Sequence, residues 1–179
     1  YNISTPLQSH HMYNEHKTVE AVCERILSGD KVALVTDAGT PGISDPGFLI
    51  VRTSIQKGIP VETLPGPTAL IPALVNSGLP SERFCFEGFL PQKKGRNRRF
   101  TSLEAETRTI IFYESPFRLV KTLEELSQHL GTDREASVSR ELSKVFEENR
   151  RGTLAELADH YKKTTPRGEI VIVVAGKKD

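Results

Sequence analysis

Apolar positions along the chain fall into two kinds of run. Val19, Val22, Cys23, Ile26 and Leu27 recur at i, i+3, i+4, i+7 and i+8, which is one face of a helix. Ser28-Gly29-Asp30 stops that helix. Val32-Ala33-Leu34-Val35 is continuous instead, the pattern of a strand covered on both faces. Asp45 followed by Pro46 predicts an N-cap and first helical position, with the helix running toward Lys57-Gly58. Val61 to Leu64 predicts a second strand, and Pro67 opens a helix over 68–76 that ends at Gly78. Strand, loop and helix in repetition predict a parallel α/β sheet.

The second half differs, with a strand at 84–86, a linker at 88–95 and an apolar strand at 109–113. Leu119, Leu123, Leu126 and Leu130 form one stripe of a helix over 116–130, stopped by Gly131. Strands are predicted at 136–139, 144–151 and 170–175, and Thr153-Leu154-Ala155-Glu156 is a capping box ahead of a short helix. The expected fold class is α/β with two small lobes, 1–82 and 83–179, and a ligand cleft between them.

Composition narrows the function classes. The 179 residues are 37% hydrophobic and 26% charged, a globular balance. With 24 Lys and Arg against 23 Asp and Glu, a globally basic nucleic-acid binder is excluded, though a local basic patch is not. The apolar runs are too short to span a membrane, and no export signal is visible. Cys23 and Cys85 read as reduced core residues of a cytoplasmic protein. His10, His11 and His16 lack a metal-ligand spacing, so no metal is expected.

Three strand ends carry candidate chemistry. Asp37 to Gly47 follows the first strand, and its glycines permit close backbone approach to a ligand, an anion above all. It has neither the Gly-Lys-Ser/Thr ending of a phosphate loop nor a G-x-G-x-x-G turn. Pro65-Gly66-Pro67-Thr68 is a second such loop, where the Thr68 hydroxyl either caps a helix or bonds a ligand. Glu114 closes a third strand and could neutralise a cation or take a proton. Arg140-Glu141 and the charges at 147–151 sit at further strand ends. From Phe89 to Leu103 there are five basic residues and no acidic one: Lys93, Lys94, Arg96, Arg98 and Arg99. That density suits a phosphate backbone, and no aromatic residue is interleaved for base stacking.

These segments together resemble the tetrapyrrole methylase family of S-adenosylmethionine-dependent methyltransferases. The resemblance lies in VALVTDAGTPGISDPG, LPGPTALIPALVNSGLP, FCFEGFLPQKKGR, TIIFYESPFR, VSRELSKVFEENRRGTL and GEIVIVV. FEGFLP with FYESP is similar to the branch of the family that methylates a cytidine 2′-hydroxyl of 16S ribosomal RNA, rather than a corrin or porphyrin. The resemblance implies two lobes holding S-adenosylmethionine between them, and a homodimer. It implies Ala38, Gly39, Thr40 and Ile43 as contacts of the methyl donor, with Thr68 near its carboxylate. It implies Tyr113, Leu142, Glu169 and Ile170 at the donor's nucleoside end. By position and residue type, Glu114 and Glu141 are the candidate bases for the 2′-hydroxyl proton, and Arg140 is the candidate to hold a neighbouring phosphate. Many family members have Gly-Asp-Pro where this chain has Gly39-Thr40-Pro41. Family members also carry roughly sixty more residues upstream, including a first strand, so the first lobe is expected to be incomplete. A tetrapyrrole methylase and a non-catalytic RNA-binding piece stay open as the other two classes.

Overall fold

Five strands, β1 (Phe84–Phe89), β2 (Thr109–Glu114), β3 (Glu135–Arg140), β4 (Glu148–Thr153) and β5 (Ile170–Val174), form one sheet in the order β1-β2-β5-β3-β4. This computed structural model describes residues 2–178. Only β1 and β2 pair in parallel; β5 is antiparallel to both β2 and β3, and β3 is antiparallel to β4. The sheet is therefore mixed, and it is built wholly from the second half of the chain; the parallel pairing expected of 32–35 and 61–64 is absent among the described residues. The uninterrupted apolar run of β5 fits its place between two neighbours, with every residue buried.

Side-chain alternation gives the sheet two covered faces. Ile110, Phe112, Val138, Ile172 and Val174 pack with Phe100, Leu119, Leu123, Leu126, Leu154 and Leu157. Those partners come from α4 (Arg96–Leu103), α5 (Leu119–Leu130) and α6 (Leu154–Lys163). On the other face, Ile111, Val171 and Val173 meet Leu70, Ala73 and Leu74 of α3 (Leu70–Ser77). The capping box forms as expected: Glu156 N donates to Thr153 Oγ1 at 3.2 Å, and Thr153 N donates to Glu156 Oε2 at 2.8 Å.

Contacts divide the chain into residues 1–67 and residues 68–179, whereas the expected lobes met at 82/83. The physical reason is α3, whose apolar face is covered by the sheet and whose Asn76 carbonyl accepts Arg151 Nε at 2.8 Å. The first unit holds α1 (Glu15–Leu27) and α2 (Phe48–Gln56), joined by Val19, Val22, Cys23, Ile50 and Ile59. Helix α2 starts at Phe48, not at the predicted Asp45-Pro46 cap, because Asp45 Oδ2 accepts Thr36 Oγ1 at 3.1 Å instead of capping. Residues 32–35 and 61–64, predicted as strands, run without ladder partners among the described residues, and Val35 and Leu64 are each 74% exposed. The predicted linker at 88–95 is half right. Gly88 and Phe89 belong to β1, and α4 begins at Arg96.

Candidate functional site

Register brings several candidate residues to one end of the sheet. Phe89 lies beside Tyr113, Glu114 beside Ile170, Ile170 beside Arg140, and Arg140 beside Glu148. Glu141, Leu142 and Glu169 adjoin that row in sequence. A local lock ties the two chain segments: Glu141 N donates to Glu169 O at 2.9 Å, and Glu169 N donates to Glu141 Oε1 at 2.9 Å. Lys144 Nζ bridges Glu141 and Glu169 at 2.9 Å each. The Glu169 N–H, then the Lys144 ammonium, hold the Glu141 carboxyl below its ordinary pKa. Glu141 is thus ionised and a poor proton acceptor at neutral pH. It also has φ 52°, an uncommon value for a residue with a side chain. Arg140 meets Glu148 at 3.2 Å and keeps 23% side-chain exposure. Tyr113 is half-buried with its ring edge-on to Phe86 and Phe89 at centroid distances of 4.9 and 5.7 Å, and Phe89 is 53% exposed.

Glu114 points the other way. Its alternation with Phe112 sends the carboxylate under α5, where it is 2% exposed. Oε1 accepts Ser115 N at 2.7 Å and Arg118 Nη2 at 2.6 Å, and Oε2 accepts Thr122 Oγ1 at 2.6 Å. Both oxygens are occupied, so the geometry corrects its expected role as an open base. A buried carboxylate needs such partners to stay charged.

The basic segment also divides. Lys93, Lys94, Arg98 and Arg99 are exposed, with Arg99 Nε 3.3 Å from Glu87. Arg96 is 6% exposed. Its Nη2 donates to Glu125 Oε2 at 2.6 Å and Thr122 Oγ1 at 2.8 Å, while Nη1 donates to Pro91 O at 3.0 Å. Those contacts remove it from the exposed basic set expected to meet a phosphate backbone. Sequence reasoning missed Arg118, Thr122 and Glu125, which complete this cluster. Their i, i+4, i+7 spacing beside the leucine stripe was the available signal.

In the first unit, the 37–47 loop is a tight, backbone-rich turn. Gly39 and Gly42 have φ of 80° and 83°, and Thr40 Oγ1 donates to Pro67 O at 3.0 Å. Ala38, Gly39 and Ile43 are exposed. Thr68, half-buried, lies just ahead of α3 and belongs to the second unit. It makes no cap, because the N-cap position of α3 is Ala69. His10 Nδ1 lies 3.2 Å from Thr18 Oγ1.

A family model described as Tetrapyrrole (Corrin/Porphyrin) Methylases matches residues 2–158. Proteins named ribosomal RNA small subunit methyltransferase I are similar along the whole chain. The Thermotoga maritima protein is 43% identical over 99% of this chain and 80% of its own length. The Xylella fastidiosa protein is 48% identical over 100% of this chain and 67% of its own. The Pseudomonas aeruginosa protein is 48% identical over 98% of this chain and 64% of its own, so the chain spans about two thirds of several relatives. Among solved structures, a cobalt precorrin-4 methyltransferase matches with TM-score 0.63 at 18% identity, covering 89% of this chain and 70% of that one. A uroporphyrin-III C-methyl transferase from Thermus thermophilus, complexed with S-adenyl homocysteine, matches with TM-score 0.60 at 20% identity, covering 90% and 73%. At those identities the likeness shows the fold. The chain belongs to the tetrapyrrole methylase family.

Proposed function

We propose that the chain acts as part of an S-adenosylmethionine-dependent 2′-O-ribose methyltransferase whose substrate is a cytidine of 16S ribosomal RNA. The observation that carries this reading is the cationic segment leaving the sheet end, Lys93, Lys94, Arg98 and Arg99, exposed and without an acidic residue among them. Its sequence-independent charge suits a phosphate backbone. The names of the relatives, at 43–48% identity over nearly all of this chain, support small-subunit ribosomal RNA as the substrate, while the cytidine 2′-hydroxyl rests on the resemblance of FEGFLP and FYESP.

The residues fit such a donor in two respects. The 37–47 loop exposes main chain around Gly39 and Gly42, both at positive φ, which suits close approach to a small charged ligand. Tyr113, backed by Phe86 and Phe89, offers an aromatic surface to a nucleoside. We assign Ala38, Gly39, Thr40 and Ile43 in the first unit, and Thr68, Tyr113, Leu142, Glu169 and Ile170 in the second, to donor contacts. When bound, S-adenosylmethionine would supply a methyl group already activated on a sulfonium sulfur, so that transfer to a ribose 2′-oxygen needs no metal, with the thioether as leaving group and the hydroxyl proton passing to solvent water. The chain's own task is alignment, which contributes several kcal/mol in such reactions. We assign the ionised Glu141 to accept a hydrogen bond from the ribose hydroxyl and orient it. Arg140, loosely paired at 3.2 Å, takes a neighbouring phosphate. A homodimer in the cytoplasm completes the proposal.

The test is transfer of a labelled methyl group to purified small ribosomal subunits, by this chain and by a version extended to the relatives' length. Primer extension at low nucleotide concentration then maps any 2′-O-methyl. We expect one cytidine to be marked and a uroporphyrinogen to be ignored. Labelling of the tetrapyrrole instead, or donor binding absent from both versions, would overturn the assignment.

A further inference from the structure

The buried cluster beneath α5 is not used by the chemistry above, and it ends on the RNA-facing segment. Two guanidinium groups each reach a carbonyl of the chain leaving β1. Arg118 Nη1 donates to Leu90 O at 3.2 Å, and Arg96 Nη1 donates to Pro91 O at 3.0 Å. Each guanidinium is in turn held by groups on other elements. Glu114, at the end of β2, takes Arg118 at 2.6 Å and Thr122 at 2.6 Å. Thr122 and Glu125 on α5 take Arg96 at 2.8 and 2.6 Å. The Arg96 guanidinium also lies over the Phe100 ring, 5.1 Å from its centroid.

We infer that Arg96 and Arg118 are positioning residues: they clamp the Leu90 and Pro91 carbonyls and so fix where Lys93 and Lys94 stand. This deepens the RNA reading of the segment and rests on it. The chemistry of the clamp is specific to arginine. Arg96 uses Nε, Nη1 and Nη2 at once, toward Glu125, Pro91 and Thr122. A lysine, with one nitrogen at the end of a flexible stem, keeps the charge and loses the fork. Residues 91–95 have no strand or helix of their own; besides the clamp at Leu90 and Pro91, their main chain is held only at its far end, where Arg96 N donates to Lys93 O at 3.2 Å and Arg99 N donates to Gly95 O at 3.0 Å among the described residues. A backbone fixed in advance lowers the ordering entropy lost when the lysines meet phosphate. Arg96 therefore serves the cationic segment from inside, by geometry, while the exposed lysines serve it by charge.

The experiment compares Arg96→Lys with the Lys93→Ala/Lys94→Ala double variant in the full chain. Each is read by nuclear magnetic resonance order parameters of the backbone at 92–95 and by the salt dependence of binding to a 16S ribosomal RNA fragment. Arg96→Lys is expected to lower the order parameters at 92–95 and weaken RNA binding about tenfold at unchanged net charge. The double lysine variant is expected to leave the order parameters unaltered while flattening the salt slope. Wild-type order parameters and wild-type affinity in Arg96→Lys would overturn the clamp. If Arg96→Lys fails to fold, Thr122→Val removes one hydroxyl from the same cluster, and unaltered order parameters at 92–95 there overturn it equally. A double lysine variant with undisturbed affinity and slope would instead overturn the RNA reading, whatever the order parameters show.

Discussion

Val32-Ala33-Leu34-Val35 and Ile170-Val171-Ile172-Val173-Val174 are the same kind of sequence, an unbroken apolar run of strand formers. They end in opposite states. The second is the centre of a five-stranded sheet, laddered on both sides and buried at every position. The first has no ladder among the described residues, with Val32 42% and Val35 74% exposed. Composition sets how well a run would fit a covered strand, but a strand exists only through hydrogen bonds to neighbours. The second unit supplies those neighbours from β2 and β3.

The largest expected effect sharpens this contrast. Ile172→Ala empties volume at a fully buried position between two covered faces and is expected to cost about 3–4 kcal/mol in urea unfolding. Val35→Ala removes methyl groups that already meet solvent, so its shift is expected within about 0.5 kcal/mol. Equal shifts for the two would mean that residues 32–35 are packed in solution.

The same contrast explains how much of the molecule was legible beforehand. The leucine stripe of α5, the β5 run and the Thr153–Glu156 capping box are local signals, and each produced its element. Helix α4 was not foreseen because only Phe100 and Leu103 anchor it apolarly, and Arg96, its third buried residue, looks like surface in the sequence. The Asp45 cap failed because a distant hydroxyl, Thr36, took the carboxylate. At the candidate site, Tyr113, Arg140, Glu141 and Ile170 were legible as strand-end residues. Their meeting at one sheet end depends on strand order and register, which no local pattern encodes. The burial of Glu114 and Arg96 depends on partners 8 and 29 positions away.

Glycines offer a second, smaller comparison between the units. A Cβ on Gly176, just beyond β5, would collide with the Thr107 carbonyl, a backbone atom that cannot swing aside. Gly176→Ala is expected to lower stability by about 1–3 kcal/mol. Gly66 in the first unit has Leu64 O as its nearest neighbour, at 3.9 Å, and no positive φ. Gly66→Ala is expected to be neutral or to stabilise by less than about 1 kcal/mol, since alanine restricts the unfolded chain. Chemical denaturation of both variants checks the pair, and a penalty at Gly66 matching that at Gly176 would show a crowding there that the described contacts lack.

The smallest effects come from exposed ionic contacts, and here the units are expected to differ in sign with pH. In the second unit, Glu141 has a pKa lowered from 4.5, first by the Glu169 N–H and then by Lys144. A lowered carboxyl contributes stability above its unfolded value and loses it as pH falls through the folded one. In the first unit, Lys57 has a pKa raised from 10.5 by its hydrogen bond to Glu20 at 2.8 Å. A raised ammonium contributes below its unfolded value and loses it as pH climbs through the folded one. Wild type and Glu141→Gln should therefore converge in urea midpoint on the acid side, and wild type and Glu20→Gln on the alkaline side. Both gaps are small and shrink with salt, because water screens exposed pairs. Nuclear magnetic resonance titration separates the causes at Glu141. In Lys144→Ala its pKa should rise only part of the way toward 4.5, since the backbone donor stays in place. A full return to 4.5 would assign the whole shift to the ammonium and leave the Glu141–Glu169 lock without an electrostatic role.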